Sequence, residues 1–185
     1  MIFLGKLYKA YISSYKTDTE EWKEFLEVAG DIYNSPQLQQ LKHFEQHFKI
    51  NRLQHIRSVA YLSFLITKKF NMNYIEATRA ATMHDLFYYD WREDDISHKL
   101  HGYRHPGFAL KNAYYLCGTL TPLEIDIIKK HMFPLTPSFP KYKESFIVSM
   151  MDKYCASIEM LYSVSKKYRI KFYELTGTGG EDNNI

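Results

Sequence analysis

Cysteine is nearly missing from this chain: there are two, Cys117 and Cys155, in 185 residues. Neither belongs to a CxxC pair, and two thiols cannot build a disulfide framework, so a cross-linked secreted scaffold is excluded. Two reduced thiols in a cytoplasmic protein are expected. Long hydrophobic runs are missing as well. No stretch approaches the roughly 18 apolar residues of a membrane span. The apolar opening, Ile2 to Leu4, is broken by Lys6 and Lys9 and reads as a first amphipathic helix rather than a signal peptide. No membrane partner is expected. A charge excess is missing too. With 24 Lys and Arg against 21 Asp and Glu the net charge is +3, and the basic residues are scattered. That excludes a nucleic-acid platform and leaves only a weak attraction for small anions.

What the chain has is apolar bulk in helical order. Hydrophobic residues make up 45% and aromatic residues 16%, enough for one core in one domain. No strand pattern, repeat or internal linker stands out, so the fold class is an all-α, single-domain helical bundle. A first helix is expected over 3–14. Asp18 with Glu21 reads as a capping box for a helix carrying Trp22, Phe25, Leu26, Ala29 and Tyr33 on one face. Ser35-Pro36 opens another, continued through Leu38, Leu41, Phe44 and Phe48. Helices over 51–70 and 73–84 follow, the second rich in alanine. Residues 88–104 read as a loop. His105-Pro106 opens a helix to Cys117, Thr121-Pro122-Leu123-Glu124 opens one to about Met132, and a long helix spans 143–167. Residues 1–49 would pack on a core at 50–170, with 171–185 as a disordered tail.

Eight histidines are present. His84-Asp85 closes the alanine-rich helix, on the face of Ala77, Ala80 and Ala81. His55 shares a stripe with Val59, Leu62 and Ile66. Asp152 lies on the face of Val148 and Ala156 in an apolar helix. A carboxylate on a buried face is costly unless it is paired or binds a cation. Two imidazoles and two carboxylates aimed inward from three helices have one common explanation, a shared metal ion. His43 and His47 read as surface residues, and His98 and His101 as loop residues.

The order His55, His84-Asp85, Asp152 resembles the HD-domain superfamily of metal-dependent phosphohydrolases over roughly residues 50–160. The resemblance implies a helical bundle of the HD-domain type in which all four residues bind metal. Binuclear members carry two further histidines between the His-Asp pair and the last Asp. By that resemblance His105 and His131 bind a second ion, and Asp85 bridges. The stretch 130–137 is also similar to bacterial HD proteins.

The expected cofactor is one or two divalent ions, of Mn, Fe, Co, Ni or Zn, since His and carboxylate ligands suit these. The expected activity is hydrolysis of a phosphate ester of a nucleotide or other small molecule by metal-activated water, with Asp85, Lys153 and Arg104 as catalytic residues. Arg92 is a further candidate for holding phosphate. Some HD hydrolases carry a Glu just after His-Asp. Here Asp90 stands nearest to that place, and the first Glu is Glu93. The aromatic residues Phe87, Tyr88, Tyr89 and Trp91 read as core. Two other functions share the pattern: a di-iron oxygenase of the same superfamily, and a non-enzymatic metal-stabilised scaffold or sensor.

Overall fold

Several helices begin where a side chain of Thr19, Ser35, Asn51, Asn73 or Thr121 accepts from an amide that the first turn leaves unpaired. The computed structural model describes residues 2–47, 50–92 and 100–177. Among them are nine α-helices and one two-stranded hairpin. Helix α1 spans Ile2–Ser13, and α2 spans Glu20–Tyr33. The cap of α2 is Thr19, whose hydroxyl accepts from the Trp22 amide at 3.2 Å, and not the expected Asp18. Placing the cap there turns Trp22, Phe25, Ala29 and Ile32 inward.

Ser35 caps α3, Pro36–Gln39, with Pro36 in its first turn. The chain does not continue as a helix toward Phe48. A tight 3-10 turn at Gln40–His43 leads into antiparallel strands β1, Glu45–His47, and β2, Ile50–Asn51. This hairpin corrects the strand-free reading. Helical spacing at Leu38 and Leu41 did not reveal that Gln46 must point inward while Glu45 and His47 lie partly outward. Phe48 itself lies outside the described residues.

Helix α4, Arg52–Lys69, opens with a reciprocal capping box between Asn51 and Gln54. It runs against α5, Tyr74–Met83, whose Ala77, Ala80 and Ala81 are fully buried. Small side chains there let the two backbones approach. Helix α6 spans His101–Cys117 and so starts a turn before His105-Pro106, leaving Pro106 inside the helix. Helix α7, Pro122–Lys130, has the expected Thr121–Glu124 capping box.

The expected long last helix is two helices. Helix α8 is Lys143–Val164 and α9 is Lys166–Thr176, separated at Ser165 with φ −129° and ψ 107°. The break folds Phe172 back onto Tyr162 and Tyr15, with ring centroids 4.6 and 5.0 Å apart. Residues 171–176, expected to begin a disordered tail, are therefore helical and anchored. Residues 178–185 lie outside the described residues. Helix α1 packs on α4 and α9, α2 on α4 and α5, and α8 on α4 and α7. No helix among the described residues is long and apolar enough to cross a membrane.

The two candidate caps are separable by mutation. Thr19→Ala is expected to cost about 1 kcal/mol in urea unfolding, and Asp18→Ala under about 0.5 kcal/mol. The reverse order would restore Asp18 as the cap.

Candidate metal centre

Five elements meet at one buried point. Helix α4 supplies His55, the end of α5 supplies His84 and Asp85, α6 supplies His105, the end of α7 supplies His131, and α8 supplies Asp152. All six are buried. They form two groups that share a border at Asp85. The ligand atoms of His55, His84 and Asp152 lie within 4.8 Å of one another, and so do those of Asp85, His105 and His131.

The imidazole orientations are set locally. His84 and His131 follow the last residues of α5 and α7, where carbonyls lack intrahelical donors. Each ring turns back and donates from Nδ1 to its own last turn, to the Ala81 and Ile128 carbonyls, both at 2.8 Å. His105 Nδ1 donates to the His101 carbonyl at 2.9 Å. In a neutral imidazole only one ring nitrogen carries a proton. All three therefore turn Nε2 toward the interior.

Those lone pairs converge. His105 Nε2 and His131 Nε2 are 2.7 Å apart, and Asp85 Oδ1 lies 3.2 and 3.4 Å from them. Burial holds His131 below the usual histidine range and lowers His84 to about 4, so both are neutral at pH 7. With its Nδ1 carrying the proton, His131 offers only a lone pair to His105 Nε2. His84 Nε2 and Asp85 Oδ1 are buried without a hydrogen-bond partner. Orphaned acceptors at this density are costly, and a cation removes the cost. His105 and His131 would hold such an ion through Nε2.

His55 is arranged differently. Its Nδ1 donates to Glu159 Oε2 at 2.8 Å, and its Nε2 faces Asp152 Oδ1 at 3.1 Å. Burial pushes its pKa down, but Glu159 first, and then Asp152, reverse this, so it stands well above the usual histidine range. Without a metal, a proton sits on Nε2. A metal ion would displace that proton, and Glu159 would then orient the ring. The Asp152 carboxyl lies far below its usual range, because His55 and Lys153 outweigh its burial.

Asp85 is held from its other side. Gln46 Nε2 donates to Asp85 Oδ2 at 2.8 Å, and Gln46 Oε1 accepts from Arg52 Nε at 2.9 Å. Arg52 is fully buried, lies 3.6 Å over the Phe87 ring and donates to the Phe87 and Tyr89 carbonyls. Burial lowers its pKa to about 10, still charged at neutral pH.

A cavity of about 330 Å³ opens above the centre, lined by Asp85, His105, His131, Asp152 and Lys153 among others. Lys153 donates to Asp152 Oδ2 at 2.7 Å and to the His131 carbonyl. Arg104 is placed elsewhere. It is exposed, lies 5.7 Å from the Phe108 ring and does not line the cavity. Arg92 is engaged by Glu45 and Asp90. Asp90 does not line the cavity, and its hydrogen bonds to Arg92 lower its pKa to about 2, so it is an ionised acceptor rather than an acid.

His47 is half-buried on β1, with its ring 5.4 Å from His55, and is not the surface residue expected. His47, His55 and Glu159 also lie close enough to share an ion. The expected loop residue His101 is packed between Trp91 and His105. Burial lowers its pKa to about 4. His43 is exposed. His98 and Glu93 lie outside the described residues. The aromatic group divides: Phe87 is core, whereas Trp91 lines the cavity.

Sequence reasoning missed Glu159, Gln46 and Arg52. Glu159 was visible as a second acid seven residues after Asp152 on an apolar helix. Arg52 was visible three residues before His55 on the same stripe. Gln46 had no signal, because the hairpin that aims it was not read. The chain matches no known family model, no curated protein and no solved structure.

Glu159→Gln keeps the shape but removes the charge behind His55. It is expected to weaken metal binding about tenfold by chelator competition while far-UV circular dichroism is unchanged. Unaltered affinity would mean that Glu159 does not orient a ligand.

Proposed function

We propose that this protein is a phosphohydrolase of the HD-domain type, working with two divalent ions. The observation that carries the proposal is the convergence on Asp85. One carboxylate has Oδ1 near His105 and His131 and Oδ2 3.7 Å from His84 Nε2, each facing lone pairs without a proton. A bridging carboxylate between two ions suits this geometry. The donor set, imidazole and carboxylate without thiolate, fits Mn, Fe, Co, Ni or Zn.

A divalent ion bound there lowers the pKa of water from about 15.7 toward about 7, and so provides hydroxide at neutral pH. The residues do the rest. His55, His84 and Asp152 hold one side of the centre, and His105 and His131 the other, while Gln46 fixes the Asp85 carboxylate between them. Lys153 brings the cavity an ammonium donor, which serves the phosphoryl oxygens as negative charge grows on them. Water adds to phosphorus, the ester P–O bond breaks, one proton ends on the released alcohol and inorganic phosphate leaves. Arg104 does not line the cavity and is given no part in this.

Reconstitution with each of the five metals, followed by metal analysis and a phosphate-ester screen, tests the reading. About two ions per chain and hydrolysis of at least one ester are expected. Asp85→Ala is expected to lose metal and at least about a hundredfold in activity. Lys153→Ala is expected to lose activity at full metal content, and Arg104→Ala to lose neither. Fewer than about 0.2 ions per chain would remove the foundation. Substrate-dependent oxygen uptake in place of phosphate release would point to the oxygenase instead.

A further inference from the structure

The rim of the cavity is built from side chains that the hydrolytic step does not use. Trp91, Leu135 and Met160 line it, and they are 36%, 67% and 59% exposed. Single exposed apolar residues are ordinary. Three that converge over a charged, polar floor are the arrangement of a small-molecule site. The Trp91 ring stacks on His101 at 5.6 Å and 17°, and His101 stacks on His105 at 4.4 Å and 18°. A column of flat rings thus runs from the rim down to a ligand histidine.

Positive charge is scarce there. Among the described lining residues, Lys153 is the only lysine or arginine. An adjoining cavity of about 270 Å³ shares Trp91 and Met160 and adds Glu45 and Arg92. Arg92 is held at 2.7 Å by Glu45 and at 2.6 Å by Asp90. Two carboxylates around one guanidinium leave that direction net negative. A chain of phosphates extending outward would meet acid and hydrocarbon.

We infer that the centre takes a phosphate monoester: one phosphoryl group on a flat, apolar body, in preference to polyphosphates and small polyol phosphates. The inference rests on the hydrolytic reading and names its substrate class. The phosphoryl group sits over Asp85 and beside Lys153. The body lies along Trp91, between Leu135 and Met160, and is about two fused rings in size for a cavity of this volume.

The test is calorimetric titration of the metal-loaded full chain with phosphonates, which cannot be hydrolysed. Naphthylmethylphosphonate is expected to bind at least about tenfold more tightly than methylphosphonate, and tripolyphosphate no more tightly than phosphate. Leu135→Ser with Met160→Ser, both exposed positions that leave the core intact, is expected to cut the naphthyl preference below about threefold, with metal content and circular dichroism confirming the fold. Equal binding of the two phosphonates, tighter tripolyphosphate, or an undiminished preference in the double variant would overturn the inference. In a parallel assay, faster release of phosphate from glycerol phosphate than from naphthyl phosphate would overturn it too and leave the hydrolytic reading intact. A naphthyl preference with no ester turned over would instead overturn the hydrolytic reading and support the apolar pocket.

Discussion

The centre depends on one buried carboxylate oxygen, Asp85 Oδ1, that no donor satisfies. Asp85 Oδ1 faces two imidazole nitrogens whose protons are committed on the far side of each ring. In a dry interior, acceptor against acceptor is repulsive, and Gln46 serves the other oxygen of the same carboxylate. Positive charge placed among these groups would remove the repulsion. The rest of the bundle can be understood as the means of holding that arrangement in place. The alanines of α5 bring α4 close, the hairpin delivers Gln46 to the carboxylate, and Arg52 secures Gln46 from behind.

The histidines are aimed in a low-cost way. A helix end has carbonyls that need donors, and a histidine placed just after the last turn can supply one from Nδ1. That bond selects the tautomer and turns Nε2 inward in the same act. His84 and His131 use this device in the same form, each reaching back three residues. His55 lies inside α4 near its start and has no such carbonyl to use. Its Nδ1 partner is the charged Glu159, brought from α8. The two ways of fixing a ring are not equivalent, since a charged partner raises ligand basicity and a carbonyl does not to the same degree.

Floor and rim of the cavity divide the work. The floor is polar, buried and fixed by hydrogen bonds, as placement of a reacting group requires. The rim is apolar and exposed, and it comes from chemically unrelated segments: the loop after α5, the loop after α7 and the outer turn of α8. Floor and rim come from different residues, so the rim can change without disturbing the buried centre.

Much of this was legible in the chain itself. Helical periodicity marked most helices, and the capping signals at Ser35 and Thr121 lie where chain ends meet unpaired amides, a local matter that sequence can report. The buried faces carrying His55, His84 and Asp152 were visible for the same reason: 3.6-residue spacing puts side chains on a face before any partner is known. Other features are not local. The break at Ser165 lets Phe172 pack on Tyr11 of α1, and strand β1 carries Gln46 to Asp85, contacts between residues distant in sequence. Arg104 stands beside a ligand in sequence yet points to solvent, because neighbours along a helix face different ways, whereas Glu159 is distant in sequence and touches His55. By itself the sequence determined a helical domain and which histidines and aspartates lie on buried faces. Only the tertiary structure decided which lone pairs face one another, because that depends on angles between helices that no single helix contains.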